Sequence, residues 1–268
     1  MKDGRVFVWK GANGKKLTII PFGNNFLLRR AILKSADVGL VRLSIRERMM
    51  KIIDLTMSIQ THWRWPVQLE TLRGHDRGDE FQACQINISM HTFTHVDTPL
   101  HVMPDQITID QVPLDRLVGP AAVLHLKGVA PNQAITLEAV RKAGEHIRAG
   151  DIVLLETGWD LQRDWKTREF WTESPYVEEK AADWLASQNI KAVGFDFPQD
   201  YHIREIPARH PSVKELPTHN LILRRGIYLI EYLCNLHRIP SDRVEVYALP
   251  LKIAGAEGAP ARVIAVVP

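Results

Sequence analysis

Between His91 and His101 the chain reads His-Thr-Phe-Thr-His-Val-Asp-Thr-Pro-Leu-His, which sets three imidazoles and one carboxylate within a short segment of a protein that has 11 histidines in 268 residues. Neutral imidazole and carboxylate are ligands for Zn, Mn or Fe(II). Three such ligands with a position left open make a water nucleophilic near neutrality. Histidines lying at the surface, or satisfied by backbone in the core, would explain a lone imidazole. They explain this density poorly, because crowded imidazoles repel one another as cations and go unsatisfied when buried neutral. The segment therefore implies a divalent cation.

The spacing adds geometry. In residues 81–90, Gln85, Asn87 and Ser89 alternate with Cys84, Ile86, Ile88 and Met90, which predicts a strand that ends where the cluster begins. Continued extension puts His95 and Asp97 on one face, and a turn or tight bend returns His91 to the same point. Pro99 fixes the backbone and turns Thr98 away from helix. On the residues alone, His91, His95 and Asp97 hold one ion. His101, beside them with an ordinary pKa in the useful range, is the candidate proton shuttle. Upstream, Trp63 and Trp65 flank Arg64 and precede Pro66; an aromatic wall for a substrate and a cap on the core are both open readings. His62 and His75 have no evident partner and are expected at the surface.

The histidine-rich stretch resembles the signature of the cyclase family of metal-dependent hydrolases, His-x-Gly-Thr-His-x-Asp-x-Pro-x-His, at His91, Thr94, His95, Asp97, Pro99 and His101. That family includes bacterial kynurenine formamidases and isatin hydrolase. The pattern departs at Phe93, where the family has Gly, a change that bears on the substrate pocket. The resemblance covers about residues 50–267. It implies that His219 and Glu231, twelve residues apart and followed by Leu233-Cys234-Asn235-Leu236, complete a second metal position shared through Asp97 and His101, and it assigns His101 either to that metal or to proton transfer. It further implies a Zn or Mn cofactor of one or two ions, a swivelling β/β/α fold, and a homodimer or homotetramer. The implied reaction is hydrolysis of an amide C–N bond through a metal-activated water, in an aryl formamide such as N-formylkynurenine, with Trp63, Trp65 and Phe93 contacting substrate. Hydrolysis of a cyclic amide or lactone, and metal binding without turnover, are the alternatives.

Composition fits a soluble globular protein, 45% hydrophobic and 24% charged, with a net charge of +3. Residues 1–49 carry a net +8, so the remainder of the chain sits at −5, and the overall positive sign is no argument for nucleic acid. These first 49 residues lack clear periodicity. They read most simply as an upstream extension or a mis-set start with no folded role; a basic transit segment and a docking arm are the other readings. The catalytic domain is then residues 50–268. No apolar run approaches the ~18 residues a membrane span requires, and Cys84 and Cys234 default to free thiols, which places the protein in the cytoplasm with a small-molecule substrate.

The elements that must position the cluster follow an α/β alternation. Expected are a strand over 121–127, a helix from an N-cap at Thr136 to about Ala149, a buried strand over 152–156, a helix begun by Ser174 and Pro175, and a strand over 191–195. A helix from His219 should stop at Gly226. Strands over 227–230 and 244–251, a Gly/Ala loop over 255–260 and a closing strand over 262–267 complete the chain. Asp196 and Asp200, after the 191–195 strand, are given a supporting role. No Gly-x-Ser-x-Gly elbow occurs, which argues against a serine hydrolase.

Overall fold

The computed structural model describes residues 7–10, 16–22, 25–30 and 50–267. The chain divides after Met49 into two units. In the first, β1 (Phe7–Lys10), β2 (Lys16–Phe22) and β3 (Asn25–Arg30) form an antiparallel sheet.

The second unit runs β4 (Lys51–Asp54), β5 (Gln68–Arg73), β6 (Ala83–Asn87), β7 (His95–Asp97), β8 (Val118–His125), β9 (Ala134–Ile135) and α1 (Leu137–Ala143). It continues with β10 (Ile152–Glu156), α2 (Trp159–Gln162), α3 (Arg168–Thr172), β11 (Tyr176–Val177), α4 (Glu179–Ala186), β12 (Ala192–Phe195), β13 (Tyr228–Glu231), β14 (Arg243–Pro250) and β15 (Gly258–Val267). Seven strands close a barrel in the order β14-β8-β10-β12-β13-β7-β15, with β15 pairing back onto β14, and β4 extends along the edge of β15 beyond β7. The four strands β8, β10, β12 and β13 are parallel; β7, β14 and β15 run antiparallel to their neighbours. Among the described residues no helix is long and apolar enough to cross a membrane.

Two cores share the barrel wall. Ile152 and Leu154 of β10 point into the barrel with Val96, Val123, Ile230 and Val263, while Val153 and Leu155 pack outward against Val140, Leu185, Trp159 and Phe170 of the helical layer. All five residues of β10 are buried, which is why its sequence is a continuous apolar run and not an alternation.

Local departures from the expected elements have identifiable causes. Helix α1 is capped by Thr136 as expected but ends at Ala143, because the chain must pass close to α4: a Cβ on Gly144 would lie 3.0 Å from the Trp184 ring. Ser174 does not start a helix. Its hydroxyl is buried and engaged with the carbonyls of Pro198 and Pro175, so the chain first makes β11, and α4 starts only at Glu179. The 219–226 segment is a π-type turn, Thr218–Ile222, followed by a 3-10 turn, and it stops at Gly226 with φ 78° in the left-handed region. Strand β15 begins at Gly258, inside the expected loop.

Candidate metal centre

Three strands and three turns converge on the cluster. Strand β7 holds His95 and Asp97 on one face, as period-2 geometry requires, and the β13–β7 register sets Glu231 opposite His95. His91 comes from the turn before β7. The 3-10 turn Pro99–His101, with Pro99 at its first position, brings His101 back, and the π-type turn supplies His219. On the other side of β7, Gly258 faces Asp97. A side chain there would collide with the site, since its Cβ would lie 2.8 Å from the Val96 carbonyl and 3.0 Å from Asp97 Oδ1.

The structure thus gathers all six sequence-derived ligand candidates. His91 Nδ1 lies 2.8 Å from Asp97 Oδ1, and His95 Nε2 lies 3.2 Å from the same oxygen and 3.6 Å from Glu231 Oε2. His219 Nε2 is 3.3 Å from Glu231 Oε1 and 3.8 Å from Asp97 Oδ2. His101 sits at the exposed rim, its ring centroid 4.0 Å from that of His91 and 5.6 Å from that of His219. Two triads with donor atoms close enough for one ion are His91, His95, Asp97 and Asp97, His101, His219, which share Asp97.

Hydrogen bonds on the far side of each ring decide what the near side offers. His95 Nδ1 donates to the Phe93 carbonyl at 2.7 Å, and His219 Nδ1 donates to Asp200 at 2.7 Å. With those tautomers each Nε2 presents a lone pair, and both lone pairs face carboxylate oxygens. His95 Nε2 and Asp97 Oδ2 are buried with no hydrogen-bond partner. Acceptors facing acceptors in a buried site repel unless positive charge lies between them, so the donor set fits a divalent cation.

The titration behaviour agrees. Burial opposes a charge on His91, but Asp97 and Glu257 outweigh it and raise His91 to about 9. For His219 burial is outweighed by Asp200 and Glu231, again reaching about 9. Burial raises the Asp97 carboxyl, yet His91 and His95 hold it well below its usual range. His101 is pulled down to about 4, first by desolvation of its ring where it lies against the cluster and then by neighbouring imidazoles, against Asp97. The cluster stabilises added positive charge, which protons supply at two of its rings.

Supporting residues surround these six. Asp200 takes the Thr218 amide and hydroxyl as well as His219, Gln199 donates to Glu231 in a short contact, and Glu257 Oε1 lies 3.0 Å from His91 Nε2. Of the two aspartates given a supporting role, Asp200 bonds a cluster residue, whereas Asp196 takes the Thr157 and Gly158 amides and caps the turn after β10. Glu257 carried no signal in sequence beyond its Gly/Ala neighbourhood, and Gln199 belongs to the same Asp-containing turn as Asp200, where the family resemblance implies a Ser.

A cavity of about 470 Å³ opens onto the cluster, lined by His91, Asp97, His101, His219 and Glu231 on one side and by Trp65, Arg64 and Tyr232 on another. Trp65 is half-buried on this wall. Phe93 is fully buried behind it, ring centroids 4.7 Å apart, and Trp63 packs against the core with the Arg168 guanidinium over its ring. His62 is not at the surface: it is buried among Trp63, Trp65 and Trp165, with Nε2 bonded to the Trp165 carbonyl. Trp165 and Trp171, which complete its surroundings, lie far downstream, out of reach of a sequence window.

Comparison with known proteins places this geometry. A kynurenine formamidase of Bordetella petrii is 31% identical over 205 residues, spanning 76% of this chain and 86% of the relative. One of Salinibacter ruber is 29% identical over 80% of this chain and 97% of the relative. Among solved structures, a potential metal-dependent hydrolase with cyclase activity superposes with a TM-score of 0.61 at 30% identity, covering 81% of this chain and 98% of that one. Isatin hydrolase A from Labrenzia aggregata gives a TM-score of 0.65 at 25% identity, covering 81% and 94%. The Cyclase family model matches residues 53–199, the span that holds the histidine-rich motif, β7 and the strands β8, β10 and β12, and on that match the chain belongs to the Cyclase family.

Proposed function

We propose that the protein is a divalent-metal-dependent hydrolase that cleaves an amide C–N bond, with an aryl formamide of the N-formylkynurenine type as its substrate. The observation that carries this reading is the convergence of two imidazole nitrogens, His95 Nε2 and His219 Nε2, on the carboxylate oxygens of Asp97 and Glu231 in a buried site. His91, His95 and Asp97 would hold one ion, Zn or Mn, and Asp97, His219 and Glu231 lie where they would hold a second, which leaves His101 for proton transfer. When bound, the cation supplies Lewis acidity, bringing the pKa of water toward about 7 and polarising a carbonyl.

The remaining work falls to side chains. Trp65 offers a ring face on which an aryl group stacks, and Phe93 behind it fixes its position. His101, at the rim of the cluster, accepts the proton of the attacking water and returns it to the departing amine nitrogen, a contribution typically of about 10²–10⁴-fold. The water oxygen forms the new C–O bond, the C–N bond breaks, and formate and an aryl amine leave. Likeness to isatin hydrolase A supports a cyclic amide as the second reading.

The test couples elemental analysis to formate release from a panel of aryl formamides, lactones and cyclic amides, with and without chelator. His95→Ala is expected to lose both the bound metal and turnover. Full hydrolysis by a metal-free His95→Ala protein would overturn the mechanism. Tight metal binding without turnover of any substrate in the panel would make this a metal-binding protein.

A further inference from the structure

The Trp63-Arg64-Trp65 loop puts a cation into the wall of the same cavity. The Arg64 guanidinium stacks over Trp171, 4.9 Å from the ring centroid, with Trp65 at 5.8 Å. Its Nη2 donates to the Ile203 carbonyl at 2.7 Å, and its Nη1 is buried with no acceptor. Among the described residues no carboxylate comes within ion-pair distance of it. Cation–π contact and one carbonyl hold the group in place; Tyr232 and Glu231 are near enough to act on its charge but neither forms an ion pair with it, and a desolvated charge with an unmade hydrogen bond calls for a partner. Away from the metal cluster the cavity wall is mainly apolar, with Val102, Ile206, Val213 and Leu216, and its other polar side chains are Ser89, His210 and Tyr232. A rigid planar fork with a free nitrogen is the side-chain geometry that matches a carboxylate.

We propose that Arg64 selects substrates that carry a carboxylate, pairing with that group while the scissile carbonyl sits at the histidine cluster. The proposal rests on the hydrolase reading above and adds the charge of the substrate to it. A ligand of this class is an aryl amide with an anionic group on or near the ring.

The test uses two pairs of probes that differ in the carboxylate: 2-formamidobenzoate against formanilide for kcat/KM, and their amine products, 2-aminobenzoate against aniline, for Kd by calorimetry. Wild type, Arg64→Gln and Arg64→Lys are compared as metal-loaded full-length protein. The wild type is expected to prefer the anionic member of each pair. Arg64→Gln should lower the anionic-to-neutral ratio at least about 10-fold, mainly through KM, and Arg64→Lys should restore part of it. Any carboxylate–metal contact is common to all three proteins and cancels in the comparison. A wild-type preference for the neutral probe, or a ratio unchanged in Arg64→Gln while both rates fall together, would make Arg64 a packing residue and overturn the proposal. The arms separate the two ideas. An Arg64-dependent preference in Kd without turnover of either formamide refutes the formamide reading alone. Turnover with no Arg64-dependent ratio refutes the selection alone.

Discussion

The carboxylate of Asp200 takes three hydrogen bonds at once, from the Thr218 amide at 2.8 Å, the Thr218 hydroxyl at 2.6 Å and His219 Nδ1 at 2.7 Å. One residue therefore anchors the start of the π-type turn and fixes which nitrogen of His219 faces Asp97 and Glu231. Partners of this kind raise ligand basicity and hold the ring in one orientation. Asp200→Asn keeps the size but replaces one acceptor with a donor, so it cannot serve all three groups. Metal affinity, measured by competition with a chelator, is expected to fall about 10–100-fold while the far-UV circular dichroism is kept. An unchanged affinity would show that packing alone aims His219. The same logic applies to His95, whose Nδ1 is held by the Phe93 carbonyl. Phe93 has φ 55°, in the left-handed region where Gly costs least, and the family pattern has Gly there. Its ring is fully buried against Trp65, Trp165 and His62, and that packing offsets a backbone cost of roughly 1–2 kcal/mol.

At the scale of elements, what could be read in advance was whatever a short window contains. The face shared by His95 and Asp97 follows from the strand period, β10, β12 and β13 follow from apolar runs bounded by turn residues, and β14 alternates buried and exposed residues. Contacts from far along the chain were invisible. Ser174 looks like a helix cap until Pro198 takes its hydroxyl, and the π-type turn at Thr218 depends on Asp200. Strand β5 was missed because it buries neither face and so shows no apolar alternation. Gly258 reads as part of a Gly/Ala loop in sequence, although β15 carries it against Asp97 and His91, where no side chain fits. Gly258→Ala puts a methyl group 2.8 Å from the Val96 carbonyl and 3.2 Å from His91 Cε1, so β15 must move away from β7 or the His91–Asp97 pair must shift. The expected result is a fold that persists at lower stability, by about 1–3 kcal/mol as for other overpacked sites, together with a clear loss of metal affinity. Denaturant titration and chelator competition on the same sample check both. Loss of stability with full metal affinity would show that the barrel adjusts elsewhere and that Gly258 is required only by the strand pairing.

Across the whole molecule, the barrel and its helical layer bury their apolar faces well, and the β5–β6 hairpin does not. No residue of either strand is buried. Leu69 and Ile86 are paired across the hairpin and are 67% and 47% exposed, with Phe81 at 65% nearby. A lone two-stranded ribbon is marginal in water, and a contiguous exposed apolar patch marks a contact surface. The family resemblance implies a homo-oligomer, and a two-fold contact that sets the same face against its copy would cover the patch on both chains. The expected observation by light scattering is a mass twice, or a higher even multiple of, the 30.5 kDa of one chain. Leu69→Asp combined with Ile86→Asp places like charges directly opposite each other on that face, which also weakens the hairpin. Leu69→Asp with Ile86→Lys avoids this, because the two new charges attract within the hairpin while still making the face polar. The second pair should therefore halve the mass with metal content retained. If the wild type already sediments as one chain, or the charged pair leaves a larger assembly intact, the hairpin is not the surface that joins copies, and its apolar side chains face some other partner or the solvent.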